Sequence, residues 1–327
     1  MDGKYVTETH LADAAGIARA AEILREGGLV AVPTETVYGL AARADSDDAV
    51  ARIFEAKGRP SFNPLIVHVR EAEQAARYAE WSDDADIATM IHWPGPLTVV
   101  LPRKPDAALA SAVTAGLPTV ALRCPAHPVM QRLLASVDFP LAAPSANRSG
   151  FISPTSAQHV MTSLAGRIDM VLDAGPTEAG VESSILAIRE DGSWEELRAG
   201  PVDLDALHRH YYETGLPQRE KRGTLEAPGQ MASHYSPGKP VRLGVTDPAV
   251  DEFAIGFGAI AGDVTLSAGG VLEEAARNLY ACLHFAAKAA QPRVAVAPIP
   301  DEGIGRAIND RLRRAAAPPD ATQPSGS

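Results

Sequence analysis

From Leu29 onward, short apolar runs alternate with longer stretches in which apolar residues recur at helical spacing. This alternation is the pattern of an α/β protein, in which strands build a sheet and helices cover it. It predicts strands over residues 29–33, 65–69, 97–101, 119–123, 139–143, 170–173 and 184–188. Between them, residues 47–57 place Val50, Ile53 and Phe54 on one face, with Asp47 and Asp48 in the first turn and Lys57 at the end. That is an amphipathic helix whose dipole is matched by charge at both ends. Similar periodicity marks residues 71–78, 127–134, 157–164 and 204–211.

The pattern lapses over residues 215–240, GLPQREKRGTLEAPGQMASHYSPGKP, where Gly and Pro recur and apolar periodicity is lost. This reads as an interdomain linker, and a polar linker of that length carrying His234 and Tyr235 can lie over a pocket. A second, shorter α/β pattern follows: strand 253–257, helix 272–290, strand 293–297 and helix 304–314. The expected organisation is therefore a domain over 1–214, the linker, a small Rossmann-like domain over 241–316, and a disordered Pro/Ser/Gly-rich tail over 317–327.

Composition sharpens the picture in three ways. The 327 residues, 46% hydrophobic and 22% charged, exclude wholesale disorder and are enough for two cores. Thirty Lys+Arg against 41 Asp+Glu leave a net charge of −11, which argues against holding nucleic acid by bulk electrostatics. The two cysteines, Cys124 and Cys282, form neither a disulfide framework nor a cysteine zinc site. With a polar start and no apolar run of roughly 18 residues, the chain is expected to be cytoplasmic, without a membrane partner.

Three polar clusters sit where predicted strands or helices end, the usual place for ligands in open α/β sheets. PTETVYGLA (33–41) sets hydroxyls and a carboxylate directly after a strand, with Gly39 permitting a close turn. KGRPSFNPLIVHV (57–69) releases Lys57 and Arg59 from a helix end, where two cations can converge on a polyanion. The helix dipole alone also favours cations there. APSANRSGFISPTS (143–156) is a Gly/Ser loop before a helix, suited to a phosphate or carboxylate, with Thr155 as the expected N-cap. HWPGPLT (92–98) reads as a shaping turn. No GxxxxGK[ST], GxGxxG or GxSxG motif supports a P-loop, a dinucleotide site or a nucleophile elbow.

In this order, PTETVYGLA, KGRPSFNPLIVHV, WPGPLT, PTVALRCPAHP, APSANRSG and GVESSI resemble the YrdC-type threonylcarbamoyl-AMP synthases, over residues 10–200. VTLSAGGVLEEAARNLYACLHFAAK and DEGIGRAINDRLRRAA resemble the added C-terminal domain of the long form of that family. The resemblance implies a twisted open mixed sheet followed by the small Rossmann-like domain. It also implies condensation of L-threonine, bicarbonate and ATP to threonylcarbamoyl-AMP and pyrophosphate. Downstream tRNA threonylcarbamoyl-transferase proteins would use the product, and tRNA itself would be at most a weak partner. By the same resemblance the threonine site falls on Thr36, His68, Arg123, Ala143 and Ser183. The nucleotide site falls on Lys57, Arg59, Asn63, Thr119, Ser145, Ser153, Arg198 and Tyr235, with Lys57 and Arg59 the catalytic cations. Mg²⁺ would come with the ATP, held by phosphates and water and by no protein metal site.

Two departures from the family pattern stand out, Ser183-Ser184-Ile185 in place of Ser-Thr-Val, which lets the two serines exchange roles, and Ala199 in place of a proline. One rival is an RNA-binding module of the same fold, supported by Arg219, Lys221, Arg222 and Lys239. The other is carbamoyl transfer in hydrogenase maturation, whose larger proteins carry zinc-finger and acylphosphatase modules that this sequence does not show.

Overall fold

The computed structural model describes residues 6–60, 62–213, 218, 226–228 and 233–318, excepting the side chains of Ala206 and Tyr212. The first part of the chain runs β1 (Glu8–Leu11), α1 (Ala14–Arg25), β2 (Val30–Pro33), β3 (Tyr38–Arg43), α2 (Asp47–Lys57), β4 (Ile66–His68) and α3 (Ala72–Ala75). It continues through α4 (Asp83–His92), β5 (Leu97–Pro102), α5 (Ser111–Thr114), β6 (Thr119–Arg123), α6 (Pro128–Ala135) and β7 (Leu141–Ala142). Then come α7 (Ala157–Leu164), β8 (Met170–Asp173), β9 (Ser184–Ile188), β10 (Trp194–Arg198) and α8 (Asp205–Glu213). After the linker follow β11 (Val241–Leu243), β12 (Glu252–Gly256), β13 (Val264–Thr265), α9 (Leu272–Lys288), β14 (Arg293–Val296) and α10 (Gly305–Ala316).

The first ten strands form one mixed sheet in the order β1-β8-β2-β3-β7-β4-β6-β5-β9-β10. Period-two alternation gives its faces different tasks. Val67, Leu122, Val99 and Leu186 point into the main core, beneath α2, α4, α5 and α7. The register partners His68, Arg123 and Thr98 lie on the opposite face, in line with the small apolar patch of Ile66, Ala121 and Val100. One end of that face is covered by α1 and α6, through Ile17, Leu24, Met130 and Leu133. The uncovered middle is where the site lies.

The second sheet is parallel, in the order β11-β14-β12-β13. Its core is not private, because Val37, Ile152 and Val181 of the first domain and Tyr235 of the linker pack into the same apolar cluster as α9. Gly180 sets how closely α9 can approach: at φ +73° its backbone lies where a Cβ would sit 2.4 Å from Ala276 O and Arg277 Cα. Gly180→Ala should therefore cost about 2–3 kcal/mol through left-handed strain and a backbone clash. A denaturation midpoint equal to that of the unsubstituted protein would contradict this contact.

Several elements differ from expectation. Tyr38 and Gly39 belong to β3, paired with β2 in a hairpin, and Gly39 is needed not for a turn but for the approach of Ala143 and Ser145 across the strand. The N-cap of α7 is Ser156, which accepts from His159 N, rather than Thr155. Strand character in 139–143 is confined to Leu141–Ala142. Lys239, one of the four linker cations, donates to Ala286 O and Ala289 O at the end of α9. Arg219, Lys221, Arg222 and the end of the tail from residue 319 lie outside the described residues.

Candidate active site

At the C-terminal ends of β4 and β6, three strands deliver one polar cluster. Arg123 donates from Nη2 to Glu35 Oε1 at 2.6 Å, from Nη1 to Thr36 Oγ1 at 3.0 Å and from Nε to Gly95 O at 3.4 Å. The β2–β3 hairpin holds Thr36 in place, since Thr34 Oγ1 lies 2.9 Å from Thr36 Oγ1 and accepts from Val37 N. The Pro-Gly turn at residues 94–95 supplies the Gly95 carbonyl, which gives that turn its shaping role. Burial pushes the Glu35 carboxyl up, but the guanidinium beside it wins and holds it below the usual range. His68 stands next to Arg123 in register; burial and that positive neighbour lower its imidazole to about 3, so it is neutral.

Beside this cluster, Ser183 Oγ lies 2.8 Å from Thr98 Oγ1 and accepts from Arg198 Nη2 at 3.0 Å. Ser184 instead bonds the backbone of Val202. Arg198 also donates to Ser183 O and Pro228 O. One residue earlier, Glu182 is the junction between the domains. Its Oε1 accepts from Ser153 Oγ at 2.6 Å, and its Oε2 from Tyr280 OH at 2.7 Å and Arg311 Nε at 3.1 Å. Burial would raise its pKa, but Arg311 and Arg198 pull it down to about 2. Arg311 is fully buried, its guanidinium 5.9 Å from the Tyr235 ring, and it also donates to Ala199 O. Tyr235 in turn stacks on Tyr280 and holds a left-handed φ of +63°, a conformation a tyrosine keeps only where its surroundings fix it.

The cationic end lies toward the start of β4. Gly58, left-handed at φ +58°, ends α2 so that Lys57 and Arg59 both turn inward. Lys57 is buried and donates to Ser145 O and Asn147 O at 2.6 and 2.5 Å. Burial, with Arg59 nearby, lowers its pKa well below the usual lysine value. Arg59 donates to Asn63 O and Pro64 O, and no carboxylate neutralises it among the described residues.

One cavity joins these groups. It is lined by Thr36, Arg59, His68, Arg123, Ala143, Ser145, Ser183, Arg198 and Tyr235, nine of the residues singled out from the sequence. Lys57, Asn63 and Ser153 stand just behind the wall, bonded to or beside residues that line it. Thr119 is not brought in: it starts β6, at the opposite end from Arg123. Glu182 and Thr34 line the cavity without having been assigned to it from sequence, and His234, expected with Tyr235 to lie over a pocket, lines it too.

Two buried neutral histidines here have a measurable consequence. His68 and His234 both fall to about 3, chiefly by burial. Their folded values lie below the unfolded one, so their contribution is complete above about pH 6.5 and lost as pH falls toward 3, at about 1.4 kcal/mol per histidine per pH unit. The urea midpoint should drop between pH 6.5 and 5, and His68→Asn should flatten that drop. A midpoint that stays level over the same range would show that these rings titrate alike in the folded and unfolded chain.

Comparison with known proteins agrees with this geometry. A family model described as "Telomere recombination" and covering Sua5, YciO and YrdC matches residues 22–200; a second, described as "Threonylcarbamoyl-AMP synthase, C-terminal domain", matches residues 195–317. The threonylcarbamoyl-AMP synthase of Pyrococcus abyssi (strain GE5 / Orsay) is 38% identical over 91% of this chain and 93% of its own. The chain belongs to the threonylcarbamoyl-AMP synthase family. Its long-form architecture is shared with the synthase of Bacillus subtilis (strain 168), 39% identical over 92% of each chain. The crystal structure of P. abyssi Sua5 complexed with L-threonine matches with a TM-score of 0.84 at 35% identity, over 95% of this chain and 97% of that one. As a member of this synthase family the chain is an enzyme, and no described helix is long and apolar enough to cross a membrane.

Proposed function

We infer that the cavity makes threonylcarbamoyl-AMP from L-threonine, bicarbonate and ATP, with threonine at the Arg123 end and the nucleotide at the Arg59 end. The observation carrying this reading is the joining, in one enclosure, of a carboxylate-recognising cluster to a cationic one whose Arg59 meets no carboxylate among the described residues. Arg123 offers its fork to the threonine carboxylate, with Thr36 and Ser183 as hydroxyl partners. The surrounding positive charge and burial favour the free amine over the ammonium, which is the form that can attack carbon. The amine nitrogen bonds the bicarbonate carbon with loss of water; a carbamate oxygen then attacks the α-phosphorus and pyrophosphate leaves.

The protein supplies position and charge rather than a nucleophile. Arg59 and Arg198 face the triphosphate, while Lys57 fixes the loop carrying Ser145. Both carboxylates near the cavity are committed to arginines, and no trio of His, Cys, Asp or Glu suited to a metal occurs among the described residues. Mg²⁺ would enter with the ATP, held by phosphates and water. His234 and Tyr235 cover the nucleotide end and shield the labile carbamate from water. Proteins that transfer the threonylcarbamoyl group to tRNA would consume the product.

Pyrophosphate release from ATP should require both L-threonine and bicarbonate, and should fall at least a hundredfold in Arg59→Ala and in Lys57→Ala. Release that persists when either co-substrate is omitted would overturn the reading.

A further inference from the structure

A second cavity, of about 350 Å³, opens between α7 and α9 on the far side of Ser153 from Glu182. Its rim carries Arg148, Arg167 and Lys288, and no acidic residue lines it. None of the three cations meets a carboxylate among the described residues, although the chain as a whole carries eleven more acidic than basic charges. In a protein so rich in acids, three exposed cations left around one hollow are an anion site in search of its anion. The floor is of another kind. His159 and His284 stack at 3.8 Å, and Phe151 stays 44% exposed with the Arg148 guanidinium 5.6 Å from its ring centroid. Planar groups with a cation at the edge suit a flat, π-rich ligand.

We propose that this cavity is a second nucleoside-phosphate site, which holds the base against Phe151 and the His159–His284 stack and the phosphates on Arg148, Arg167 and Lys288. The volume is that of a small-molecule pocket, and its walls combine an apolar floor with a few convergent charges, as ligand sites do. The site is separate from the synthase cavity, with which it shares no lining residue. Ser153 links them, its carbonyl 3.2 Å from His284 Nε2 on one side and its hydroxyl donating to Glu182 on the other, and so do the consecutive residues Tyr235 and Ser236, one lining each cavity.

The test uses the full chain carrying Arg59→Ala, so that nucleotide bound at the synthase cavity is suppressed, with ADP and inorganic pyrophosphate as probes in calorimetric titration. ADP should still bind with one site per chain. Adding Arg148→Glu and Lys288→Glu should weaken it at least tenfold. Because both side chains are exposed, folding should be unaffected, as checked by an unchanged melting temperature. Phe151→Ala should weaken ADP severalfold and leave pyrophosphate unchanged, which separates a nucleotide site from a simple anion site. No ADP binding at millimolar concentration would overturn the proposal, as would binding indifferent to both charge reversals. So would a surface that binds tRNA through these cations while ignoring ADP.

Discussion

Glu182→Ala is expected to abolish pyrophosphate release and to lower folding stability by about 3–5 kcal/mol, the usual cost of removing one partner from a buried ion pair. The loss is large because three groups lose their acceptor together: Ser153 Oγ, Tyr280 OH and Arg311 Nε. Arg311 would be left fully buried beside Tyr235 and Arg198, with Asp310 its one remaining carboxylate partner among the described residues. Activity fails through position, since Ser183 follows Glu182 directly and Tyr235 rests on the same network. The native Glu182 titrates at about 2 against an ordinary 4.5, so its contribution is complete above about pH 4.5 and vanishes as pH falls through 2. Glu182→Gln keeps the shape and loses the charge, and should fall between the two. Urea denaturation alongside turnover separates the effects; an alanine variant with native stability would mean that the network does not hold the domains.

Arg123→Ala is expected to raise the KM for L-threonine by two to three orders of magnitude while shifting the KM for ATP far less. With threonine placed as proposed, truncation strips a bidentate partner from its carboxylate, and two to three decades at about 1.4 kcal/mol each come to about 3–4 kcal/mol; it also leaves Glu35 buried without its cation, which costs stability. Arg123→Lys should rescue little, because one ammonium cannot reach Glu35, Thr36 and Gly95 O at once. Steady-state rates at varied threonine decide it. An ATP-specific defect would place the amino acid elsewhere in the cavity.

What could be read from the sequence follows from what is local. Residues 47–57, 119–123, 157–164, 170–173 and 184–188 match α2, β6, α7, β8 and β9 end for end, because pattern, caps and charge agree there. Helix α1 is absent from the expectation although Ile17, Ala20, Ala21, Ile23 and Leu24 form a buried stripe at helical spacing, because the strand–helix alternation is legible only from Leu29 onward. Strand β3, YGLAAR, has few strong strand formers beyond Tyr38 and exists because it pairs with β2 on one side and β7 on the other. Nine of the assigned site residues line one cavity because motif resemblance carries positions that periodicity does not. Glu182 stood in the quoted GVESSI, yet nothing near it in sequence shows that its partners are 98 and 129 residues away. Arg311 did leave a trace, as an arginine in the buried stripe of Ala307, Ile308, Leu312 and Ala315 on α10.

The apolar cluster shared between the domains has a consequence during synthesis of the chain. Val37, Ile152 and Val181 are complete as part of the first domain long before α9, which buries them, has been made. At about 5–20 residues per second, the hundred or so residues between Val181 and the end of α9 take roughly 5–20 s to emerge. Throughout that interval the nascent first domain presents an uncovered apolar face, with Glu182 beside Val181 and Arg311 not yet translated.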